Sequence, residues 1–576
     1  MPSQTPASPK TRPAPVWHFR ATDSPTPPDP APNPKNLPPL VAQLLHDRGH
    51  TDPADIDNFL APRLQNLSDP FLLPDITPAV DRILKAIDEN QTIVAYGDYD
   101  VDGVTSLTLL SKIIGAYGHE NFHTFLPHRM DEGYGLSVEG LERCLEKTHP
   151  DLLIAVDCGT SSVHEIAWLK ERNIDTIILD HHELSAEHPP DCVALVNPKM
   201  GDDFHYLCSA GVVFKLAHAL LKTRPLENFK LRDHLDLVAV GTVADIVPLI
   251  DENRLLVRHG LKQLDHTENY GLAALKSVAG VGARSQASDV GFRIGPRLNA
   301  AGRLDTAQDA LDILLAEDPL AARAIAQKLH ARNDDRRNVE ARIVREITTD
   351  LASLPADQKA VVLGSRDWHP GVVGIVASRI ARKHHLPTFV IAVDENGIGK
   401  GSGRSVPGVS LVAALDACRD LLIKGGGHEM AAGLTIEEQN IDPFRERFAQ
   451  YIADNTTEET LRPKTLVDVE ADFADLDLSL LDSYEQLHPF GSDNPQPVLL
   501  CRGVQLLEEP RVLKEKHLKF NLSQNGTRRE VLYFGGADEK LPRPPWDIAV
   551  TIDRNEFRGR TSLSIFLQSL RPAEPS

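Results

Sequence analysis

Residues 91–118 read QTIVAYGDYDVDGVTSLTLLSKIIGAYG, and this stretch decides the architecture. QTIVAY (91–96) is an apolar run of strand length, and GVTSLTLLSKIIGAYG (103–118) spaces its apolar residues as a helix does. A buried strand that turns directly into a helix is half of a parallel α/β unit. Asp98, Asp100 and Asp102 alternate in the turn between them. In such sheets the chemistry gathers beyond the C-terminal ends of the strands, which is where these carboxylates fall.

The pattern continues outward. DLLIAVD (151–157), DTIILD (175–180) and CVALVN (192–197) are short apolar runs that end in polar residues, with helical stretches such as VHEIAWLKERN (163–173) between them. Residues 41–250 are therefore predicted to form a parallel-sheet domain. Residues 251–355 read as a helical connector, most plainly over 305–353, where arginines cluster among helically spaced apolar residues. AVVLG and TFVIAVD read as strands and GVVGIVASRIARKH as a helix, which predicts a second α/β domain over 356–455. From 460 to 576 the runs HLKFNLS, REVLYFG, DIAVTID and SLSIFLQSL are strand-like; an OB-like barrel fits, and spacing alone does not separate it from a sandwich. Residues 1–40 hold 13 prolines and read as a disordered tail, in which Trp17 and Phe19 either dock on the body or stand exposed.

The net charge of −21 argues against broad coating of duplex nucleic acid, but suits a chain that binds multivalent cations and keeps a local basic track. The six cysteines form no C-x-x-C pair, which disfavours a zinc ribbon and fits a reducing cytosol. No apolar run is long enough to span a bilayer and the N-terminus lacks an export pattern, so neither membrane insertion nor export is expected.

Alternating carboxylates at a strand tip repel one another unless a cation neutralises them, and oxygen donors suit Mg²⁺ or Mn²⁺. D-x-D-x-D-G also opens an EF-hand loop, but that loop needs a glutamate at its twelfth position, and counting from Asp98 the twelfth residue is Leu109. A solvated acidic turn is the bland alternative. Three further groups fall at strand ends or an adjacent loop: Asp157 in AVDCGTSS, Asp180-His181-His182 in LDHHE, and Asp245 in GTVADIVPL. Each alone has an ordinary reading, such as a helix cap. Together they mark one place where strand ends converge. Farther on, GSGRS (401–405) and GGGH (425–428) read as phosphate-binding loops, in which glycine amides approach an anion, Arg404 grips it, and Ser402 and His428 add hydrogen bonds. Glycine-rich loops are weak signals on their own.

In order and spacing these motifs resemble the DHH phosphoesterase superfamily: GDYDVDG its first motif, Asp157 its second, Asp180-His181-His182 its third and Asp245 its fourth. Many members carry a histidine where this chain has Tyr96. The Asp-rich form, with PHRMDEGYG (127–135), RIGPRLNAAGRLD (293–305), HPGVVGIVASRIA (369–381), the two glycine-rich loops and HPFGSDNPQP (488–497), is similar to the RecJ branch. The resemblance implies a DHH parallel-sheet domain and a DHHA1 α/β domain joined by the helical connector, with a C-terminal β-barrel. It implies a 5′→3′ exonuclease on single-stranded DNA that uses two divalent ions, Mg²⁺ or Mn²⁺. Asp98, Asp100, Asp102, Asp157, His181 and Asp245 are then the expected metal ligands, with Asp157 bridging. Asp98 and Asp100 would face one ion and Asp102, His181 and Asp245 the other, with His182 beside the scissile phosphate. Gly426, Gly427, His428, Ser402, Arg404 and Arg129 become candidates for the terminal nucleotide or its 5′-phosphate. Arg297 and Arg303, flanked by Asn299 and glycines, become candidates for strand contact. A single-strand-binding protein and a RecQ-type helicase as partners, a monomeric state and a cytoplasmic location also rest on the resemblance.

Two rival functions remain on the sequence. One is a related phosphodiesterase acting on pyrophosphate, cyclic dinucleotides or very short oligonucleotides. The other is a non-catalytic binding scaffold. The C-terminal β region favours a long polymer, because barrel folds often track single strands.

Overall fold

The protein is described here by a computed structural model that covers residues 15–20, 33, 35–127, 135–184, 188–304, 306–353, 358–557 and 559–573. They divide into two compact units: one of residues 61–336 with 488–495, the other of residues 1–60, 337–487 and 496–576. The chain's first strand, β1 (Val16–Phe19), and the helices Pro39–Asp47 and Pro53–Leu60 fall in the latter.

The unit that carries the acidic motifs is built on β2 (Ile93–Gly97), β3 (Phe122–Phe125), β4 (Leu152–Val156), β5 (Asp175–Leu179) and β6 (Ala194–Val196). All are parallel, in the order β3-β2-β4-β5-β6. Every residue of β2 and β4 is buried, because helices cover both faces, and that is why these strands read as continuous apolar runs. Ile93 and Ala95 point into one core with Ile154 and Ile177, while Val94 and Tyr96 point into the other with Leu153 and Ile178. The edge strand β3 was not anticipated. As an edge strand it is only partly buried, so it shows no continuous apolar run.

Two expected boundaries move. Residues 41–60 belong with the second unit rather than with the metal domain. The helices Asp251–Asp265, Tyr270–Ala279, Gly295–Leu304 and Gln308–Leu315 are not a separate connector: Leu256, Leu275, Leu298 and Leu314 lie in the same core as the parallel sheet. Periodicity reveals an amphipathic helix but not the surface it packs on. Among the described elements, only the helix Pro319–Ser353 has residues in both units.

In the second unit, β7 (Val361–Ser365), β8 (Thr388–Val393), β9 (Ile398–Arg404), β10 (Leu422–Gly427) and β11 (Ala431–Glu437) form a mixed sheet in the order β10-β11-β9-β8-β7. The helix Pro370–His384 packs on β8 and β9, and Phe389, Phe444 and Phe448 centre the core. The chain then forms β12 (Lys464–Val467), β13 (Val469–Glu470), β14 (Leu499–Leu506), β15 (Arg511–Leu513), β16 (His517–Gln524), β17 (Thr527–Tyr533), β18 (Trp546–Phe557) and β19 (Arg560–Pro572). The run β14-β18-β19-β17-β16 closes through a β14–β16 pairing, so this region is a five-stranded barrel and not a sandwich. Strict alternation in β16 turns Leu518, Phe520 and Leu522 inward.

The tail reading fails for residues 16–19. VWHF is a β-forming tetrapeptide between proline-rich flanks, and as β1 it pairs in parallel with β12. Trp17 docks: its indole N–H donates to Ser569 Oγ at 3.0 Å and the Arg571 guanidinium lies 4.5 Å from its ring centre. Arg20 and Arg48 both reach Asp468, at 2.9 and 3.2 Å. Among the described residues, no helix is long and apolar enough to cross a membrane.

Candidate metal centre and substrate loops

Each strand of the parallel sheet hands over to a loop at its C-terminal end. Asp98 follows β2, Asp157 follows β4 and Asp180 follows β5, and all three are buried. Asp100 caps the helix Val101–Ala116, accepting from the amides of Asp102 and Gly103 at 2.9 and 3.1 Å. Those amides are thus satisfied within the loop. The need for glycine at 103 is close approach: a Cβ there would stand 2.3 Å from the Asp98 carbonyl oxygen.

Asp102 sits in the first turn of that helix and points at the start of another, Ser209–Thr223. Its two oxygens accept from the amides of Ser209 and Ala210 at 2.7 and 2.9 Å. The Ser209 hydroxyl donates to Asp157 Oδ1 at 2.8 Å. Asp157 is held at a φ of +63°, which turns the chain sharply as it leaves β4. Asp245 closes the helix Leu235–Ala244. His181 Nε2 stands 3.4 Å from Asp245 Oδ2, 3.5 Å from Asp157 Oδ1 and 3.9 Å from Asp102 Oδ2.

Three sets of donor atoms lie mutually within 4.8 Å: Asp98, Asp100 and Asp157; Asp102, His181 and Asp245; and Asp157, His181 and His182. Asp157 belongs to two of them, between the other carboxylates. The fold therefore brings together all six expected ligands, although they come from four separated segments of the chain.

The electrostatics are those of a site built for cations. Burial, and then Asp100, raise Asp102 to about 6. Burial, and then Asp102 and Asp100, raise Asp245 to about 9. Asp157 is pushed well above the usual carboxylate range by burial and by Asp102, Asp100 and Asp98. Burial, and then His182, push His181 down to about 4, so it is a neutral imidazole with a lone pair to offer. The buried atoms Asp245 Oδ2 and His181 Nε2 have no hydrogen-bond partner among the described residues. Crowded carboxylates, a neutral imidazole and unsatisfied donor atoms fit divalent ions with a preference for oxygen and nitrogen, such as Mg²⁺ and Mn²⁺.

His182 is positioned differently. Asp180 Oδ1 accepts from its Nδ1 at 2.7 Å and from the amides of His181 and His182 at 2.7 and 3.2 Å. Burial pushes the His182 imidazolium down, but the hydrogen bond and charge of Asp180 outweigh it and leave the group raised. Burial pushes Asp180 up in turn, and the bonds from His182 and Thr160 overcome it, leaving Asp180 below the usual carboxylate range. Asn197 Nδ2 donates to the His182 carbonyl at 2.9 Å and to Thr160 Oγ1 at 3.0 Å, bracing the loop. Ser209, Thr160 and Asn197 escaped sequence reasoning, since an isolated polar residue before a helix carries no signal of what it will touch.

The helix Gly295–Leu304 borders this centre. A Cβ on Gly295 would lie 3.6 Å from Ala244 Cβ, beside Asp245, and one on Gly302 would lie 3.4 Å from the carbonyl of Tyr99, between Asp98 and Asp100. Asn299 and Arg303 are half-exposed on it. Arg297 departs from expectation: it is 8% exposed, and its guanidinium is spent on the Arg293 carbonyl at 2.6 Å and on His330 Nδ1 at 3.0 Å. It holds the helix in place rather than facing a strand. Arg129 lies outside the described residues.

In the second unit the two glycine-rich motifs meet. Ser402 pairs with Gly433, and Gly433 with Gly426, so the three stand in a row across β9, β11 and β10. Arg404 donates to Ser402 Oγ at 3.1 Å, and its guanidinium is pushed down by burial. Gly427 has a φ of +142°, and a Cβ there would stand 2.5 Å from the Ala431 carbonyl oxygen. The His428 amide donates to that same carbonyl at 2.8 Å, and its side chain is exposed.

This arrangement has known counterparts. Residues 92–242 match the family model described as DHH family, N-terminal domain; residues 357–454 match DHHA1 domain; and residues 467–569 match RecJ OB domain. The single-stranded-DNA-specific exonuclease RecJ of Bacillus subtilis is 35% identical over 550 residues, covering 94% of this chain and 69% of that one. RecJ of Dickeya dadantii is 35% identical over 566 residues, covering 94% and 97%. The crystal structure of Thermus thermophilus RecJ in complex with Mn²⁺ superposes with a TM-score of 0.80 at 32% identity, over 94% of this chain and 76% of that one. Its complex with Mg²⁺ gives 0.74 at 30% identity, over 94% and 75%. With this identity sustained along nearly its whole length, the chain belongs to the RecJ family.

Proposed function

We propose that this chain degrades single-stranded DNA from the 5′ end, releasing 5′-mononucleotides in a reaction that depends on two divalent ions. The observation that carries the reading is the convergence of Asp98, Asp100, Asp102, Asp157, His181 and Asp245 at the ends of parallel strands, in a chain of the RecJ family. Asp98, Asp100 and Asp157 would hold one ion and Asp102, His181 and Asp245 the other, with Asp157 close enough to both sets to serve each. Bound divalent ions supply Lewis acidity and lower the pKa of an attacking water. The amides of Ser209 and Ala210 fix Asp102, and the Ser209 hydroxyl fixes Asp157, so both carboxylates are oriented before substrate arrives. His182, whose imidazolium form Asp180 favours, would donate through Nε2 to the phosphate or protonate the departing 3′-oxygen of the terminal nucleotide.

Arg404 and Ser402, beside the glycine row of β9–β11, bind the 5′-phosphate or the terminal nucleotide, with the Gly426 and Gly427 backbone and His428 adding contacts. Asn299 and Arg303 contact the strand near the metal centre. The barrel binds single-stranded DNA, as OB-folds commonly do. By family resemblance we place the activity in recombinational and mismatch repair in the cytoplasm, with a single-strand-binding protein and a RecQ-type helicase as partners and the enzyme as a monomer.

The deciding experiment compares 5′- and 3′-labelled single and double strands, with and without Mn²⁺, for the wild type and Asp157→Ala. The reading requires mononucleotides from the 5′ end of single strands only, loss of turnover in the variant, and retained strand binding. Cleavage confined to cyclic dinucleotides or very short oligonucleotides would favour a related phosphodiesterase instead.

A further inference from the structure

Three large apolar side chains are the most exposed on the described surface: Phe292 at 78%, Ile246 at 74% and Leu320 at 73%. Two of the three lie on segments that border the metal centre. Ile246 directly follows Asp245, whose Oδ2 is 3.4 Å from His181 Nε2. Phe292 lies on the π-helical turn Val290–Ile294, which packs against the helix that ends at Asp245. The same segment then runs through Gly295, against Ala244, to Gly302, against Tyr99, and so follows the rim of the centre from Asp245 to the Asp98–Asp100 loop.

Ile246 is also strained. Its φ is +61°, in the left-handed region that a β-branched residue avoids. The position after a helix C-cap normally carries glycine or asparagine, for which this conformation costs little. An isoleucine here stabilises nothing in the fold, since its side chain is in solvent and its backbone disfavours the geometry. Local strain that earns nothing structurally points to a use for the side chain. Phe292 is parallel in kind: the flanking Val290 and Ile294 are fully buried, while the π-turn leaves the largest apolar group of the segment outside.

We infer that Ile246 and Phe292 contact the bases of the strand at the metal centre, and so position the terminal phosphodiester without reading sequence. Every base has an apolar face, so an aromatic ring and a branched aliphatic group accept all four. This rests on the single-strand nuclease reading and adds to it the two side chains that hold the bases where the carboxylates hold metal.

The test uses the full chain with Mn²⁺ and two 5′-phosphorylated single strands, one normal and one abasic at its first three nucleotides. Phe292→Ala and Ile246→Asn are compared with wild type and with Leu320→Ala, an equally exposed control. On the normal strand each rim variant is expected to raise KM by roughly 5- to 100-fold, with a smaller change in kcat, and Leu320→Ala to match wild type. The losses should not add: wild type on the abasic strand should fall about as far as the variants fall on the normal one, and the variants little further. Ile246→Asn should also melt no lower than wild type, because asparagine tolerates the left-handed geometry. Variants equal to wild type on the normal strand, an equal loss on both strands, or a lower melting temperature for Ile246→Asn each overturn the inference. If wild type degrades no single strand at all, the nuclease reading has failed; if it degrades both strands equally, only the base contacts have.

Discussion

Ser209 donates its backbone amide to Asp102 at 2.7 Å and, through its hydroxyl, also reaches Asp157, at 2.8 Å. One residue at a helix start thus orients two carboxylates, one from the first turn of the helix Val101–Ala116 and one from the end of β4. In Ser209→Ala the amide remains and the hydroxyl is lost. Affinity for Mn²⁺ is expected to fall about 10- to 100-fold, as for outer partners of metal ligands generally, with the fold intact. Calorimetric titration of Mn²⁺ beside a circular-dichroism melt checks both halves. Unchanged affinity would remove Ser209 from the site.

Without metal, the clustered carboxylates oppose folding above mildly acidic pH. Burial, and then neighbouring charge, raise Asp102 to about 6 and Asp245 to about 9, from an ordinary value of 3.8 in each case. Between the unfolded and folded values the native state holds more protons than the unfolded chain, so stability falls as pH rises through that window. His181 works from the other side: lowered to about 4 from 6.5, it is neutral when folded, and stability is lost as pH falls from 6.5 towards 4. Metal-free protein should therefore melt highest at mildly acidic pH and lower at pH ~8, while added Mg²⁺ or Mn²⁺ should raise the melting temperature more at pH ~8. Scanning calorimetry with and without chelator reads this, and a metal-free melting temperature that climbs steadily with pH would contradict it.

Asp180 acts through His182. Its carboxylate accepts from His182 Nδ1 at 2.7 Å and keeps the imidazolium raised against the opposing effect of burial. In Asp180→Asn the largest counterweight to burial is lost while the charges of Asp100 and Asp102 remain, so His182 loses its proton at lower pH. The alkaline limb of kcat/KM should move toward acid, with kcat reduced by roughly 10- to 100-fold. A profile that keeps its shape would show that His182 does not titrate in the reaction.

Gly427→Ala tests the loop in the second unit. The new Cβ would meet the Ala431 carbonyl oxygen at 2.5 Å, at a φ of +142°. The β10–β11 hairpin should lose about 1–3 kcal/mol, read as a lower melting temperature. Arg404→Ala should instead leave the melt nearly unchanged and raise KM more for 5′-phosphorylated strands than for 5′-hydroxyl strands. Equal effects on the two strands would take the 5′-phosphate away from Arg404.

The apolar runs and the acidic residues that close them are enough to specify the parallel sheet and to mark Asp98, Asp157 and Asp180 at its C-terminal edge, while the ligand set Asp98, Asp100, Asp102, Asp157, His181 and Asp245 rests on the family resemblance. This follows because a strand buried on both faces must be apolar throughout, so the first polar residue after it marks the sheet's C-terminal edge. Local pattern could not carry the rest. The half-exposed strand β3 lacks that apolar signature, and VWHF is masked by its prolines. The helices after residue 250 show their apolar stripe but not its partner, and only folding puts them in the core of the parallel sheet. Arg297 reads as a strand contact in sequence and is turned inward by its neighbours, while Ser209 reads as nothing and ends between two carboxylates. Burial and long-range hydrogen bonds depend on which distant segments meet, and that is settled by tertiary packing.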